Sequence, residues 1–303
     1  MPQTPSRLIP SLLAVLGVLM FSTKAVFAKL GYSYGVDAIT MLVLRMLFAL
    51  PIYSVIAFSF RKDKNEANGK DLIYLFLFGF IGYYLASYFD FKGLEFIKAS
   101  LERLILFVYP TLVVLISFVF LGIRPTRFQL IGILVTYVGI SIVFIPEINL
   151  SENHNALIGG VLVFFSALTY AGYIVGSGWL IPKFGPKRFT SYAMLISCFL
   201  VITHFMIESK MQINLLELPG PVYIYGLAMA VISTVIPSYV ISYAIKGLGA
   251  NQFSIFGSLG PISTIVLAYL FLGERLTSLQ IAGGIVVVGG VMVAEYFKKN
   301  SGK

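Results

Sequence analysis

The chain has 303 residues, of which 58% are hydrophobic and only 12% charged, and its mean hydropathy is +0.90. Soluble domains carry about 25% charged residues, so composition excludes a protein that hides its apolar side chains behind a water-facing shell. The formal net charge of +9 does not point to nucleic acid, because the Lys and Arg residues sit in short gaps between apolar runs rather than on one basic face.

The N-terminal segment carries Arg7 and then an apolar run with Lys24 inside it and no small-x-small cleavage site. It reads as a first membrane span rather than a cleaved signal peptide. A spanning helix needs about 20 mostly apolar residues. Runs of that kind predict ten spans, at 9–29, 38–60, 71–91, 98–122, 127–145, 157–181, 189–208, 220–243, 250–272 and 278–297. The expected fold is an all-α integral membrane protein. The longest polar connections, 61–70 and 146–156, are too short for a separate domain. With ten spans, one side of the membrane holds fourteen Lys and Arg residues and the other five (Lys29, Lys92, Lys98, Lys210 and Arg275), with Lys24, Arg45 and Arg103 inside spans. The richer side includes both termini and reads as cytoplasmic.

Charges at membrane depth are costly and ask for a role. Lys24 in the first span would attract a carboxylate, or pair with a nearby acid. Arg45 in the second offers a planar fork of donors for a carboxylate, or clamps backbone carbonyls or Asp37. The third span holds Tyr83, Tyr84 and Tyr88, with Asp90 and Glu95 near its aqueous end. The fourth opens with Glu102 and Arg103. Glu102 shares a face with Leu106 and Tyr109 at spacings of four and seven, and serves either as a proton-coupling group or as a first-turn acid favoured by the helix dipole. Pro110 then removes a helical hydrogen bond, as Pro261 does in the ninth span, and a kink at either is a candidate gating hinge.

Further along, Ser166, Thr169, Tyr170, Tyr173 and Ser177 form a polar stripe on the sixth span. Cys198, the single cysteine, has no partner for a disulfide and reads as a small buried hydrophobe. His204 reads as a satisfied or interfacial histidine. Ser233, Pro237 and Tyr243 lie in the eighth span, and Ser254 and Ser258 share a face of the ninth. Gly283, Gly284, Gly289 and Gly290 of the tenth span, with Gly132 and Gly139 of the fifth, suit close helix packing, as scaffold or as a homodimer contact. The candidate substrate-binding set is Lys24, Arg45, Tyr84, Tyr88, Tyr109, Thr169, Tyr173, Tyr243 and Ser258. Each hydroxyl or aromatic in it also has a bland reading, as an interfacial or helix-packing residue.

The chain says one thing twice. FLGIRPTRFQLIG (Phe120–Gly132) and FLGERLTSLQIAG (Phe271–Gly283) share seven of thirteen residues at an offset of 151. Extended outward, the offset gives thirteen identities between Ser87–Gly139 and Ser238–Gly290, Ser87-Tyr88 on Ser238-Tyr239 and Pro110 on Pro261 among them. Five spans per copy is an odd number, so the second copy, 157–297, is expected to be inverted relative to the first, 1–145. Inverted repeats are an architecture of secondary transporters, with the site at the repeat interface.

These residues also carry a resemblance. The run Gly93–Gly132, with small residues, a mid-helix Pro and a turn before a Gly-rich span, is similar to the EamA-like exporters of the drug/metabolite transporter superfamily. Ala244–Gly284 is more similar still, with the turn Leu272-Gly273-Glu274 where the first copy has Ile123 in place of the acid. Arg45 resembles that family's arginine in the second span, whereas Met20-Phe21-Ser22-Thr23 stands where a Trp-Gly-Ser type signature is often found. The resemblance implies a ten-helix, multi-pass protein of the bacterial plasma membrane, a central cavity among spans one, three, four, six, eight and nine, and export of small metabolites such as amino acids. The partners expected are a small-molecule substrate and the lipid bilayer, with no nucleic acid. No cofactor or metal motif is present, nor GxxxxGK[ST], HExxH or GxSxG, so no catalytic residue is assigned. The alternatives are a membrane scaffold without transport and an intramembrane enzyme.

Overall fold

The structure, a computed structural model, describes residues 8–59, 68–150, 155–208, 214–249, 253, 256, 257 and 259–296. Among the described residues there are helices and turns and no strands. In lipid only an element that satisfies its own backbone can cross, and the helix is the one open to a chain without a closed barrel. We label the helices α1 (Leu8–Tyr32), α2 (Ala38–Ser59), α3 (Gly69–Phe96), α4 (Ala99–Leu121), α5 (Arg127–Leu150), α6 (Asn155–Phe184), α7 (Pro186–Glu208), α8 (Gly220–Leu248), α9 (Leu259–Leu272) and α10 (Ser278–Tyr296). Among the described residues, seven of these (α1 to α4 and α6 to α8) are long and apolar enough to cross a membrane, and the apolar stretches Arg127–Val143, Leu259–Leu272 and Ser278–Ala294 are shorter. The outer face is apolar: Phe120 is 78% and Val119 70% exposed. Water would not tolerate such a continuous surface and lipid does. The protein is an integral, multi-pass membrane protein.

Local chemistry places the helix ends. The Asp37 carboxylate accepts the Thr40 N–H at 2.9 Å to start α2. Asn68 and Asp71 cap one another at the start of α3, each side chain accepting from the other's backbone N–H, a reciprocal box that satisfies two otherwise orphaned donors. Two departures from the sequence reading matter. The expected helix over 98–122 is broken at Phe107–Val108, and Pro110 sits in the first turn of the second segment, Tyr109–Leu121. A missing N–H costs nothing in a first turn, so the proline marks a restart rather than a kink in a continuous helix. Pro261 likewise stands in the first turn of α9. Helix α3 also runs five residues beyond its predicted end, to Phe96. Asp90 is therefore not at an aqueous boundary: it is 1% exposed.

The two related stretches fold alike. Gly122 and Gly273 end their helices in the left-handed region, at φ +68° and +66°, where a residue without a Cβ has no steric penalty. After each, a Thr and a Gln cap one another. The Gln129 amide oxygen accepts from Thr126 N–H at 2.8 Å and that of Gln280 from Thr277 N–H at 2.9 Å. A third correspondence was not visible in the residues. Both α3 and α8 contain a widened π turn, at Phe80–Leu85 and Val231–Val235, again 151 positions apart. Such turns are uncommon and often lie at functional sites.

Helices α5 and α10 pack through glycines in a reciprocal pattern. Gly132 lies against the Gly290 carbonyl and Gly283 against the Gly139 carbonyl, and 132 and 283, like 139 and 290, are repeat partners. Three of the four α10 glycines face helices of the same chain, Gly283 and Gly290 against α5 and Gly284 against Leu104 of α4, whereas Gly289 faces open space.

Candidate functional site

A small chamber of about 50 Å³ lies at the centre, walled by side chains from α1, α2, α3, α4, α6, α7 and α8. By this measure it has room for about four water molecules. The site is therefore narrow in this conformation. Its wall combines aromatic rings (Phe21, Tyr83, Tyr170, Tyr173) with hydroxyls (Ser87, Ser166, Thr234, Ser238) and two cations, Lys24 and Arg45.

Arg45 is 3% exposed. Its guanidinium donates to Ser87 Oγ at 2.8 Å and lies 4.8 Å from the centre of the Phe91 ring, while its Nε has no hydrogen-bond partner. A buried donor without an acceptor is costly to maintain. Two turns along the same face of α2, Tyr53 hydroxyl meets Ser238 Oγ at 2.8 Å. Ser87 and Ser238 are repeat partners, so α2 grips both copies of one serine, once with an arginine and once with a tyrosine. Across the chamber the Tyr83 and Tyr173 hydroxyls meet at 2.7 Å, and Tyr173 packs directly on Gly82 in the widened turn of α3.

Beside the chamber is a charged cluster. Lys24 pairs with Asp90, and its Nζ is 3.9 Å from Glu102 Oε1. Glu102 is completely buried. Arg103 donates to Ser22 Oγ at 3.4 Å, and its guanidinium sits 5.3 Å from the Phe21 ring centre. Gly260 of α9 presses against that guanidinium. A second void, of about 20 Å³, shares Phe21, Leu106, Tyr170 and Ile241 as walls with the first and reaches Arg103 and Tyr109. The Phe21 and Tyr170 rings are stacked at 6.4 Å and 13°.

Of the residues singled out in the sequence, Lys24, Arg45, Tyr83, Ser166, Tyr170 and Tyr173 line the main chamber, and Tyr109 and Tyr170 the smaller void. Tyr84 and Tyr88 turn instead toward α7, where the Tyr84 hydroxyl meets His204 Nδ1 at 3.2 Å and Tyr88 lies edge-on to the same ring. Thr169 bonds its own helix at Phe165 and borders a lipid-side groove. Tyr243 is 37% exposed on the outside of α8. Ser258 lies outside the described residues, as does Ser254. Asp37 caps α2, so it is not the partner of Arg45. Three contributors were not read as site residues, Ser87, Ser238 and Tyr53, and Asp90, expected near an aqueous end, is buried against Lys24 instead. The signal for the serines was present, since Ser87-Tyr88 and Ser238-Tyr239 are among the few identities in their region of the repeat.

Comparison with known proteins gives one consistent result. The sequence pattern of the EamA-like transporter family matches twice, over residues 8–145 and 157–296. The chain is 30% identical over 296 residues to "Uncharacterized transporter YcbK" of Bacillus subtilis (strain 168), covering 95% of this chain and 93% of that one. An "Uncharacterized transporter" of Archaeoglobus fulgidus is 24% identical over 92% of this chain and 94% of its own. A solved structure described only as "Crystal structure of protein" superposes with a TM-score of 0.67 at 15% identity, covering 98% of this chain and all of that one, a likeness of fold alone.

Proposed function

Since the chain belongs to the EamA-like transporter family, we propose that it is a ten-span secondary transporter that exports small carboxylate-bearing metabolites, amino acids among them, by alternating access to the central chamber. Two inverted halves, 1–145 and 157–297, form its frame, and both termini face the cytoplasm of a bacterial cell. The double family match, the 151-residue correspondence of turns, caps and widened turns, and the reciprocal glycine crossing of α5 on α10 support the halves. A crossing in which residue i meets j′ and j meets i′ is the pattern a two-fold axis produces. The excess of Lys and Arg on one side supports the orientation.

The observation that carries the substrate class is Arg45. A buried guanidinium, aimed into a chamber whose other charged wall group is Lys24 and left with Nε unpartnered, calls for an anion with two oxygens. The rings around it suit an apolar body. Pro110 and Pro261, in the first turns of Tyr109–Leu121 and of α9, are the hinges of this scheme. The test is counterflow in proteoliposomes loaded with the twenty standard L-amino acids, with each labelled amino acid added outside in turn. Accumulation of a subset, lost at least tenfold in Arg45→Gln and partly kept in Arg45→Lys, is expected. Equal counterflow by Arg45→Gln would overturn the carboxylate reading, and no counterflow of any amino acid would remove amino acids from the substrate class.

A further inference from the structure

Two carboxyls and one ammonium meet in the cluster beside the chamber, and their hydrogen-bond inventory does not close. Lys24 Nζ serves Asp90 Oδ2 and lies 3.9 Å from Glu102. Asp90 Oδ1, Glu102 Oε1 and Glu102 Oε2 are buried with no donor. Both carboxyls therefore converge on the one Lys24 ammonium, buried side by side. An ionised carboxylate only accepts, so two of them cannot bond. A carboxylic acid beside a carboxylate can. With both groups ionised, three buried oxygens stay unpartnered and two negative charges share one cation at salt-bridge distance, Lys24. With one proton between them, a Glu102 hydroxyl satisfies Asp90, and the triad with Lys24 is electrically neutral.

Among the described residues no other cation is within 4 Å of either carboxylate. The titratable and charged groups facing the pair are Lys24 and Tyr32 from α1, Arg45 from α2 and Arg103 from α4. Tyr170 of α6 lies beyond Arg103. From α9 the nearest groups are Gly260 and Thr264, which hold Arg103 and the Ser22 carbonyl and do not titrate.

We propose that Asp90 and Glu102 together hold one exchangeable proton, and that Lys24 links its occupancy to that of the chamber. Lys24 belongs to both places: it pairs with Asp90 and it lines the chamber wall. An anion in the chamber draws the ammonium toward itself. The two carboxyls then lose their nearest counter-ion and retain the proton taken from water. Coupling of this kind is reciprocal, so the loaded pair favours the anion by the same factor, and one proton travels with each carboxylate. The proton site stands on the cluster alone. Its link to transport rests on the function proposed above.

The full-length protein in lipid is titrated with pH while infrared difference spectra follow the C=O stretch of a protonated carboxyl. A band present at neutral pH, lost in both Glu102→Gln and Asp90→Asn and kept in Glu208→Gln, is the expected result. Lys24→Met should hold the band at alkaline pH where the wild type has lost it. The wild-type titration decides even if a variant fails to fold, because no protonated-carboxyl band at neutral pH overturns the shared proton. The link is read in vesicles loaded with the twenty L-amino acids and a trapped pH dye, with the membrane potential clamped. Efflux should raise the internal pH, and Glu102→Gln should abolish that rise. Efflux with no pH change overturns the link. If no amino acid leaves at all, the amino-acid reading falls, and the infrared result still decides the proton site.

Discussion

The turns at Gly122 and Gly273 are built alike and used differently. Each has a left-handed glycine, a Thr and Gln that cap one another, and a glycine that seats its helix on the opposite copy. The difference that matters is the residue after the glycine. After Gly273 comes Glu274, whose carboxylate accepts from Ala99 N–H at 2.9 Å, Ser100 N–H at 3.0 Å and Ser100 hydroxyl at 2.6 Å. An anion at a helix start satisfies orphan donors and opposes the positive end of the dipole. Glu274 thereby pins the start of α4, three residues before Glu102. After Gly122 comes Ile123, 48% exposed, which has nothing to offer a helix start. One frame thus carries a carboxylate latch at Glu274 where the other has the apolar Ile123, and the latch holds the helix that bears the charged cluster.

The shared features should fail in pairs, and the differing one should fail alone. A Cβ at Gly132 would sit 2.5 Å from backbone atoms of α10, and one at Gly283 would sit 2.9 Å from backbone atoms of α5. Gly132→Ala and Gly283→Ala should each cost about 2–3 kcal/mol, the range for forcing atoms into a packed contact, read by denaturant unfolding of the purified protein. A large cost in one copy only would mean that the crossing is not reciprocal. Glu274→Ala should cost about 1–2 kcal/mol by the same method, while Ile123→Ala stays within about 0.5 kcal/mol. Equal effects would remove the latch. Thr126→Ala and Thr277→Ala should each lose about 1 kcal/mol, alike in both copies. Gly289→Ala is the smallest change. No atom lies within 4 Å of the added methyl, so helix propensity should make it neutral or stabilising by about 0.5–1 kcal/mol, measured as a shift in Tm.

How much of this could be read from the residues follows from the range of each interaction. Apolar runs of spanning length are local, and they located the helices to within about five residues apart from the ninth, the start of whose predicted span lies partly outside the described residues. The repeated turns are local too, and identity at a fixed offset exposed them. Contacts across the bundle are not local. Lys24 and Asp90 are 66 positions apart, and nothing in either segment announces the other. Helix rotation was equally hidden. Tyr84 and Tyr88 share a face, but it is the face toward His204 of α7, whereas Tyr83, one residue away, points into the chamber. In an apolar span both faces look alike to a hydropathy pattern, because lipid and core accept the same side chains. The break at Phe107–Val108 carried only the proline after it, and the widened turns carried no residue signal.

Those widened turns make the length of the chain adjustable at two points. An ordinary α-helix advances about 100° per residue, so deleting a residue from it swings everything beyond onto another face. A π turn already contains one residue more than its neighbours need. Removing one from Phe80–Leu85 or Val231–Val235 would close the bulge to a normal turn and leave the flanking halves of α3 or α8 facing as they do now, with only the wall at Gly82 or Thr234 redrawn. A single-codon loss, ruinous a few turns away, would there reshape the chamber and spare the fold.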